Sequence, residues 1–258
     1  MRDLKDPKIF FLMGVGFVSV IGFADFLKLV FQIPETNPGL VAVYEKGEYE
    51  KESLDALRPY LTTGSTFLDI GAWAGYYSIH ASKLVGREGR VIAFEPDPNN
   101  FRFLVANVRA NLCANTICLP LAVGDTNTAA TFWRDVANTG ATSGKRESVP
   151  TPATSFTSLV VRLDDLFPCA TVSAIKSDIQ GAELRVLRGA EKLIERCHPV
   201  ILFEWWPEGI RKFGDRPEDI LEWLEKRGYR VTAIPSGERP NPNIEGYCNA
   251  IAKGIILP

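Results

Sequence analysis

The chain has no G-x-G-x-x-G run, no C-x-x-C pair, no basic stripe with interleaved aromatics, no internal repeat and only two histidines in 258 residues. Each absence closes off a class of function. Without the three-glycine fingerprint a pyrophosphate has no cradle of close backbone amides, and no Tyr/Lys or His/Asp hydride-transfer pair is evident, so a dinucleotide oxidoreductase is disfavoured. A formal net charge of −2 gives no electrostatic reason to expect nucleic acid as a partner. The five cysteines, Cys113, Cys118, Cys169, Cys197 and Cys248, are odd in number and sit mostly in apolar runs. They read as reduced core residues of an intracellular protein, with neither a disulfide nor a metal role. His80 reads as a surface or packing residue on a helix and His198, directly before Pro199, as a connector.

What is present is a strand-to-loop signature, Thr66-Phe67-Leu68-Asp69-Ile70-Gly71-Ala72-Trp73-Ala74-Gly75-Tyr76-Tyr77, followed by Val91-Ile92-Ala93-Phe94-Glu95-Pro96. An apolar run ending in an acid and a glycine turn, then a helix, then a second apolar run ending in Glu, is how a doubly wound α/β sheet builds a nucleoside site. The spacing Gly71-x-x-x-Gly75 decides which nucleoside. A carboxylate at Asp69 would repel a pyrophosphate but suits a cationic amino-acid group, and Gly71 and Gly75 let the chain pass close under a ligand. This favours S-adenosyl-L-methionine over NAD. Glu95, about 20 residues on at the next strand tip, is placed to accept hydrogen bonds from two ribose hydroxyls.

The pattern of apolar strand, polar tip and helix recurs at Thr116 to Asp125, Ser173 to Glu183 and Pro199 to Trp205, with helical spacing between, as in Leu184, Leu187, Ala190, Leu193 and Ile194. Alternating strands and helices imply a mostly parallel sheet that binds ligands at the carboxyl ends of its strands. Asp69, Glu95, Asp125, Asp178 and Glu204 all fall at such ends. Five acids on one sheet edge repel one another, so stability alone does not account for them.

Taken in order, the motifs Gly47-Glu48-Tyr49-Glu50, Phe67-Leu68-Asp69-Ile70-Gly71-Ala72, Phe94-Glu95-Pro96, Ala122-Val123-Gly124-Asp125, Leu163-Asp164-Asp165-Leu166, Lys176-x-Asp178-x-x-Gly181-Ala182-Glu183 and Leu187-x-Gly189-Ala190 resemble those of FkbM-type S-adenosylmethionine-dependent methyltransferases. The resemblance runs from about Tyr44 to Lys253. Two positions depart from that family's usual residues, Trp73 where Asn is usual and Gln180 where Glu is usual. The resemblance implies a Rossmann-like class I methyltransferase fold: α/β, with a mostly parallel seven-stranded sheet, an antiparallel C-terminal hairpin and helices on both faces. It also implies O-methylation of a sugar, glycolipid or polyketide-like acceptor. The cofactor-binding candidates are then Asp69, Gly71, Ala72, Gly75, Tyr76, Glu95, Pro96 and Asp125.

Displacement at a sulfonium methyl asks the protein to align the nucleophile and to remove its proton. Asp178 is the first candidate base, at a strand tip and a helix start, and Glu204 on the neighbouring strand is the second. Capping of the following helix is the plain alternative for Asp178. Glu183 divides evenly between a functional role and a first-turn carboxylate stabilised by the helix dipole. Trp205 and Trp206 read as walls of the acceptor pocket. No third ligand beside Asp178 and Glu204 argues for a metal. N- or carboxyl-methylation is an alternative reaction, and a non-catalytic membrane-associated protein that keeps the fold is an alternative of another class.

Residues 1–36 stand apart as an apolar segment and linker ahead of a catalytic domain over 37–258. From Ile9 to Ala24 every residue is apolar, Gly or Ser, and the run extends to Ile33. The segment 9–33 predicts a helix, read as a membrane anchor or interfacial helix or else as a soluble amphipathic helix on the domain or a partner. The catalytic domain would then be cytoplasmic, where the cofactor is. Pro34 to Gly39 reads as a linker, Gly47 to Leu61 as a helix covering the sheet, and Trp133 to Ser158 as an aperiodic loop that serves as a substrate lid or else as a solvated surface excursion. Pro235 to Gly246 reads as a long connection in a final antiparallel hairpin closed by Tyr247 to Ile251.

Overall fold

The structure is a computed structural model that describes residues 17–24, 27–34, 49–136, 138, 140–150 and 152–255. Its centre is a seven-stranded sheet built from β3 (Thr66–Ile70), β4 (Arg90–Phe94), β5 (Thr116–Leu119), β10 (Ala174–Ser177), β11 (Val200–Trp205), β12 (Tyr229–Ile234) and β13 (Cys248–Gly254). The order across the sheet is β12-β13-β11-β10-β3-β4-β5. β3, β4, β5, β10 and β11 run parallel, and β13 pairs antiparallel with both β11 and β12. This is the class I methyltransferase fold, with the C-terminal hairpin inserted as expected.

Burial of both faces follows from the pleat. In β3 Phe67 points into one apolar layer, with Leu54, Leu57, Ile79 and Leu104. Its neighbours Leu68 and Ile70 point into the other, with Phe94, Ile175, Leu187 and Tyr229. Successive side chains of a strand alternate faces, so a continuous apolar run demands helices on both sides. The first layer is covered by α1 (Lys51–Leu57), α2 (Tyr76–Val85) and α3 (Pro98–Ala110). The second is covered by α4 (Leu163–Leu166), α5 (Glu183–Gly189), α6 (Glu191–Cys197), α7 (Pro207–Lys212) and α8 (Pro217–Glu225). The helix expected over 47–61 is shorter, with α1 running on into a 3-10 turn at Arg58–Tyr60. Because β4 and β10 flank β3 on opposite sides, the chain reverses direction across the sheet there and leaves a crevice at the carboxyl ends.

Three expectations are corrected. The predicted helix over 9–33 is, where described, a hairpin of β1 (Phe17–Ala24) and β2 (Leu27–Pro34), paired antiparallel from Phe17↔Pro34 to Ala24↔Leu27. Val18, Val20, Ile21, Val30 and Ile33 are β-branched, and two apolar runs of eight cannot be told from one long helix by periodicity alone. No helix among the described residues is long and apolar enough to cross a membrane. Residues 9–16 and 35–39, which carry the rest of the anchor and linker readings, lie outside the described residues.

The strand expected over 116–125 breaks at Pro120, which has no N–H to give to a ladder. β5 ends at Leu119, and β6 (Ala122–Val123) joins a second sheet of order β6-β9-β7-β8. That sheet also corrects the loop expected over 133–158. Both ends of the segment and a short stretch within it are extended, with β7 (Thr128–Asp135) antiparallel to β9 (Ala153–Val161) and to the short β8 (Thr142–Ser143). The cross-strand pair Phe132 and Phe156 stacks at 5.7 Å, a contact that a Ser- and Thr-rich composition does not advertise.

Candidate active site

A cavity of about 640 Å³ opens at the carboxyl ends of β3, β4, β10 and β11. Its first half is set by the turn after β3. The N–H groups of Gly71 and Ala72 both donate to Phe94 O, at 3.0 and 2.9 Å, which folds the turn against β4. Gly71 has φ +72°, and a Cβ there would stand 2.0 Å from Asp178 O, so only glycine allows the turn and the end of β10 to come this close. Glu95, on leaving β4, lines the cavity with Pro96. Its Oε2 accepts from Trp73 N–H at 2.8 Å and its Oε1 from Asp97 N–H at 2.9 Å. Burial pushes the Glu95 carboxyl up to about 7, against the pull of those two N–H groups. Phe94, Leu121 and Val123 give this half an apolar wall.

Of the cofactor-binding candidates, Gly71, Ala72, Tyr76, Glu95 and Pro96 line the cavity. Asp69, Gly75 and Asp125 do not line it. Asp69 shares the face of Phe67 and lies fully buried beneath the turn, where it accepts from Ser78 Oγ at 2.5 Å and pairs with Lys176 Nζ at 3.5 Å. Gly75, with φ +91°, caps the start of α2. Asp125 follows β6 and leaves the main sheet with it, because the chain has already turned away at Pro120.

The second half is acidic. Asp178 and Glu204 line it, as does Glu50, which sequence reasoning met only as part of a motif. Glu50 Oε2 accepts from Tyr77 Oη at 2.5 Å and from Asn249 Nδ2 at 3.2 Å. Burial raises the Glu50 carboxyl, Asp178 adds to the rise, and the Tyr77 hydroxyl opposes it. Burial, then Asp178, Glu183 and Glu50, push Glu204 well above the ordinary carboxylate range. Between the carboxylates sits Gln180, whose Nε2 is 3.1 Å from Asp178 Oδ1 and 3.2 and 3.1 Å from the two oxygens of Glu204. Glu183 is not among the lining residues and accepts from the N–H groups of Ile179 and Gly181, at 3.1 and 3.4 Å.

Lys176 joins the halves. Its Nζ donates to Gly71 O at 2.6 Å, pairs with Asp69, stands 4.0 Å from Asp178 Oδ2 and lies 5.5 Å from the centre of the Tyr77 ring. Burial lowers the affinity of this ammonium for its proton, but Asp69, Asp178, Glu50 and Glu95 outweigh it and the net shift is upward. The signal was in the sequence: a Lys inside the buried run Ala174-Ile175-Lys176-Ser177 requires a carboxylate partner.

Other candidates are placed as follows. Trp206 lines the cavity, whereas Trp205 is fully buried with its indole N–H on Asn241 O at 2.9 Å, since neighbouring residues at a strand end face opposite ways. Asn138, Gly140 and Ala141, between β7 and β8, and Thr142 in β8 reach the cavity from the second sheet. Asp97 ties that sheet to the main one through an ion pair with Arg134 at 3.0 Å and a hydrogen bond from Thr142 Oγ1 at 3.3 Å. His80 packs against Tyr76 and Phe31, with centroids at 4.6 and 6.3 Å. His198 closes α6 in a left-handed conformation.

With that geometry in place, comparison with known proteins finds a match to the methyltransferase FkbM domain over residues 69–231. Among solved structures, the chain is similar to an FkbM methyltransferase from Methylobacillus flagellatus at 20% identity and TM-score 0.50, over 73% of this chain and 44% of that one. It thus spans less than half of that relative. It is also similar to a putative rRNA methylase from Clostridium thermocellum at 14% identity and TM-score 0.51, over 79% of this chain and 95% of that one. No curated protein matches in sequence.

Proposed function

Because the chain belongs to the FkbM methyltransferase family, whose domain takes up residues 69–231, we propose that it uses S-adenosylmethionine to methylate a hydroxyl oxygen of a sugar, glycolipid or polyketide-like acceptor. One observation carries the reading: Glu95 and the Gly71 turn line the same cavity as Asp178 and Glu204.

The residues present fit the cofactor. Carboxylates at Glu50, Glu95, Asp178 and Glu204 suit a ligand that is cationic at sulfur and nitrogen, and Phe94, Leu121 and Val123 suit a flat base. Glu95 would accept from the ribose hydroxyls, while Gly71 and Ala72 would let the backbone approach the ligand. When bound, the cofactor supplies a sulfonium methyl whose leaving group is a neutral thioether. Asp178 takes the proton that an alcohol must lose, since an alcohol is far too weak an acid to lose it unaided at neutral pH. Lys176 holds Asp178 and the carbonyl of Gly71 in one arrangement, so the base and the cofactor turn move together. Trp206 offers a flat apolar wall to the acceptor.

Calorimetric titration of the full chain with S-adenosylmethionine, S-adenosylhomocysteine and NAD tests the reading. Micromolar binding of the two sulfur compounds, lost in Glu95→Ala, is expected. Binding of NAD, or of none by folded protein, overturns it. Asp178→Asn is expected to lower turnover about 100-fold or more while cofactor affinity stays within about threefold. An equal loss of both would make Asp178 a structural cap instead.

A further inference from the structure

The two carboxamides of the acidic half are both locked in orientation. A carboxamide has one donating and one accepting end, and its neighbours decide which way it faces. Gln180 has carboxylates of Asp178 and Glu204 within 3.2 Å of Nε2, so its nitrogen must face them. Asn249 directs Nδ2 to Glu50 Oε2 at 3.2 Å and to Ser53 Oγ at 2.9 Å. The oxygens of Gln180 and Asn249 are thereby turned the other way, and neither has a protein partner among the described residues, although both side chains line the cavity.

The backbone keeps Gln180 there. It lies at φ +60°, in the left-handed region, and Gly181 follows at φ +101°, where a Cβ would come 2.3 Å from the backbone of Gly209 in α7. Two successive positive φ angles packed against another element leave the loop no easy relaxed alternative.

This half of the cavity therefore concentrates hydrogen-bond acceptors, Asp178, Glu204, Glu50 and the two amide oxygens, with the hydroxyls of Tyr49 and Tyr247 and the indole N–H of Trp206 as neutral donors in the lining. Lys176 is the one cation among the described lining residues, and it is already engaged with Gly71 O and Asp69. Lys145 and Arg185 lie against the ring of Phe213 and Lys212 against that of Trp206, and none of these three cations itself lines the cavity.

Resting on the methyltransferase reading above, we infer that the acceptor is polyhydroxylated and carries no negative charge around the methylated position. Hydroxyls next to the reacting one donate to Gln180 Oε1 and Asn249 Oδ1, while the reacting hydroxyl faces Asp178. The groups around this pair are Lys176 from β10, Glu183 from α5, Glu50 and Tyr49 ahead of α1, and Tyr247 ahead of β13. None of them supplies a free cation for a carboxylate or phosphate. In such a site an acceptor that lacks donors leaves the amide oxygens and carboxylates desolvated and unpaired.

The test uses the full chain saturated with S-adenosylhomocysteine, with ligand-observed NMR titration of three probes: methyl glucoside, its per-O-methylated derivative and the corresponding methyl glucuronoside. The neutral polyol is expected to bind in the millimolar range, and the other two at least tenfold more weakly. Gln180→Glu, equal in shape and tolerant of the same φ, places a third carboxylate against Asp178 and Glu204. It is expected to weaken the glucoside at least tenfold and to leave S-adenosylhomocysteine within threefold. Equal binding of the per-O-methylated or anionic probe, no binding of the glucoside, or an unaffected Gln180→Glu overturns the inference. Failure of S-adenosylhomocysteine to bind would instead overturn the methyltransferase reading, so the two failures are distinct.

Discussion

Replacing Lys176 by methionine removes an ammonium while keeping much of the side-chain volume. Lys176 is 6% exposed and Asp69 is fully buried, so the substitution strands a carboxylate in the core and takes a donor from Gly71 O. Breaking a buried pair from one side costs about 3–5 kcal/mol, because the remaining charge has neither water nor partner. For a chain of this size that corresponds to a fall in Tm of roughly 10 °C. Adding Asp69→Asn removes the stranded charge, keeps an acceptor for Ser78 Oγ, and is expected to restore roughly half of the loss. Urea unfolding of the wild type, both single variants and the double variant measures the coupling. Lys176 holds its proton more tightly in the fold than its ordinary 10.5. Its own contribution is therefore complete below that pH and lost only as pH rises through the higher folded value. A cost below about 1 kcal/mol, or additive effects of the two substitutions, would refute the ion-pair account.

Glu95 has a pH dependence of the same sign in a lower window. Its carboxyl moves from 4.5 to about 7 in the fold, so the folded state holds the proton longer and stability falls as pH rises through that window, by about 3 kcal/mol when complete. Glu95→Gln is expected to flatten that fall, measured as unfolding free energy at pH 5 and pH 8; an unchanged pH dependence would show that Glu95 is not the group responsible. Phe31, buried at 3% against Tyr76 and His80, anchors β2 to α2. Phe31→Ala is expected to cost about 3 kcal/mol in the same assay, and a cost near zero would mean that the hairpin adds nothing to the core.

The central sheet, its parallel strands and its final hairpin were legible because each strand announces itself over four to seven consecutive residues. The Gly71 turn was legible for a similar reason, since a glycine at a strand end followed by a helix admits few conformations. The amino-terminal segment was misread because two apolar runs of eight joined by a turn have the composition of one helix. The second sheet was missed because β7 and β9 are polar and half exposed, and their pairing rests on partners some 25 residues apart that no local window connects.

For the site, sequence alone determined which residues stand at the strand tips, and hence that Glu95, Asp178 and Glu204 share an edge, because position along a strand follows from the local run of apolar residues. Tertiary structure alone decided which of the acids line the cavity. Asp69 turns under the sheet to meet Lys176, Asp125 leaves with β6, and Glu50 arrives from outside the sheet altogether. The same holds for the amides: the direction in which Gln180 or Asn249 points its oxygen is fixed only by carboxylates brought from distant parts of the chain. Electrostatic and hydrogen-bond roles depend on neighbours in space, and those are set when the sheet closes.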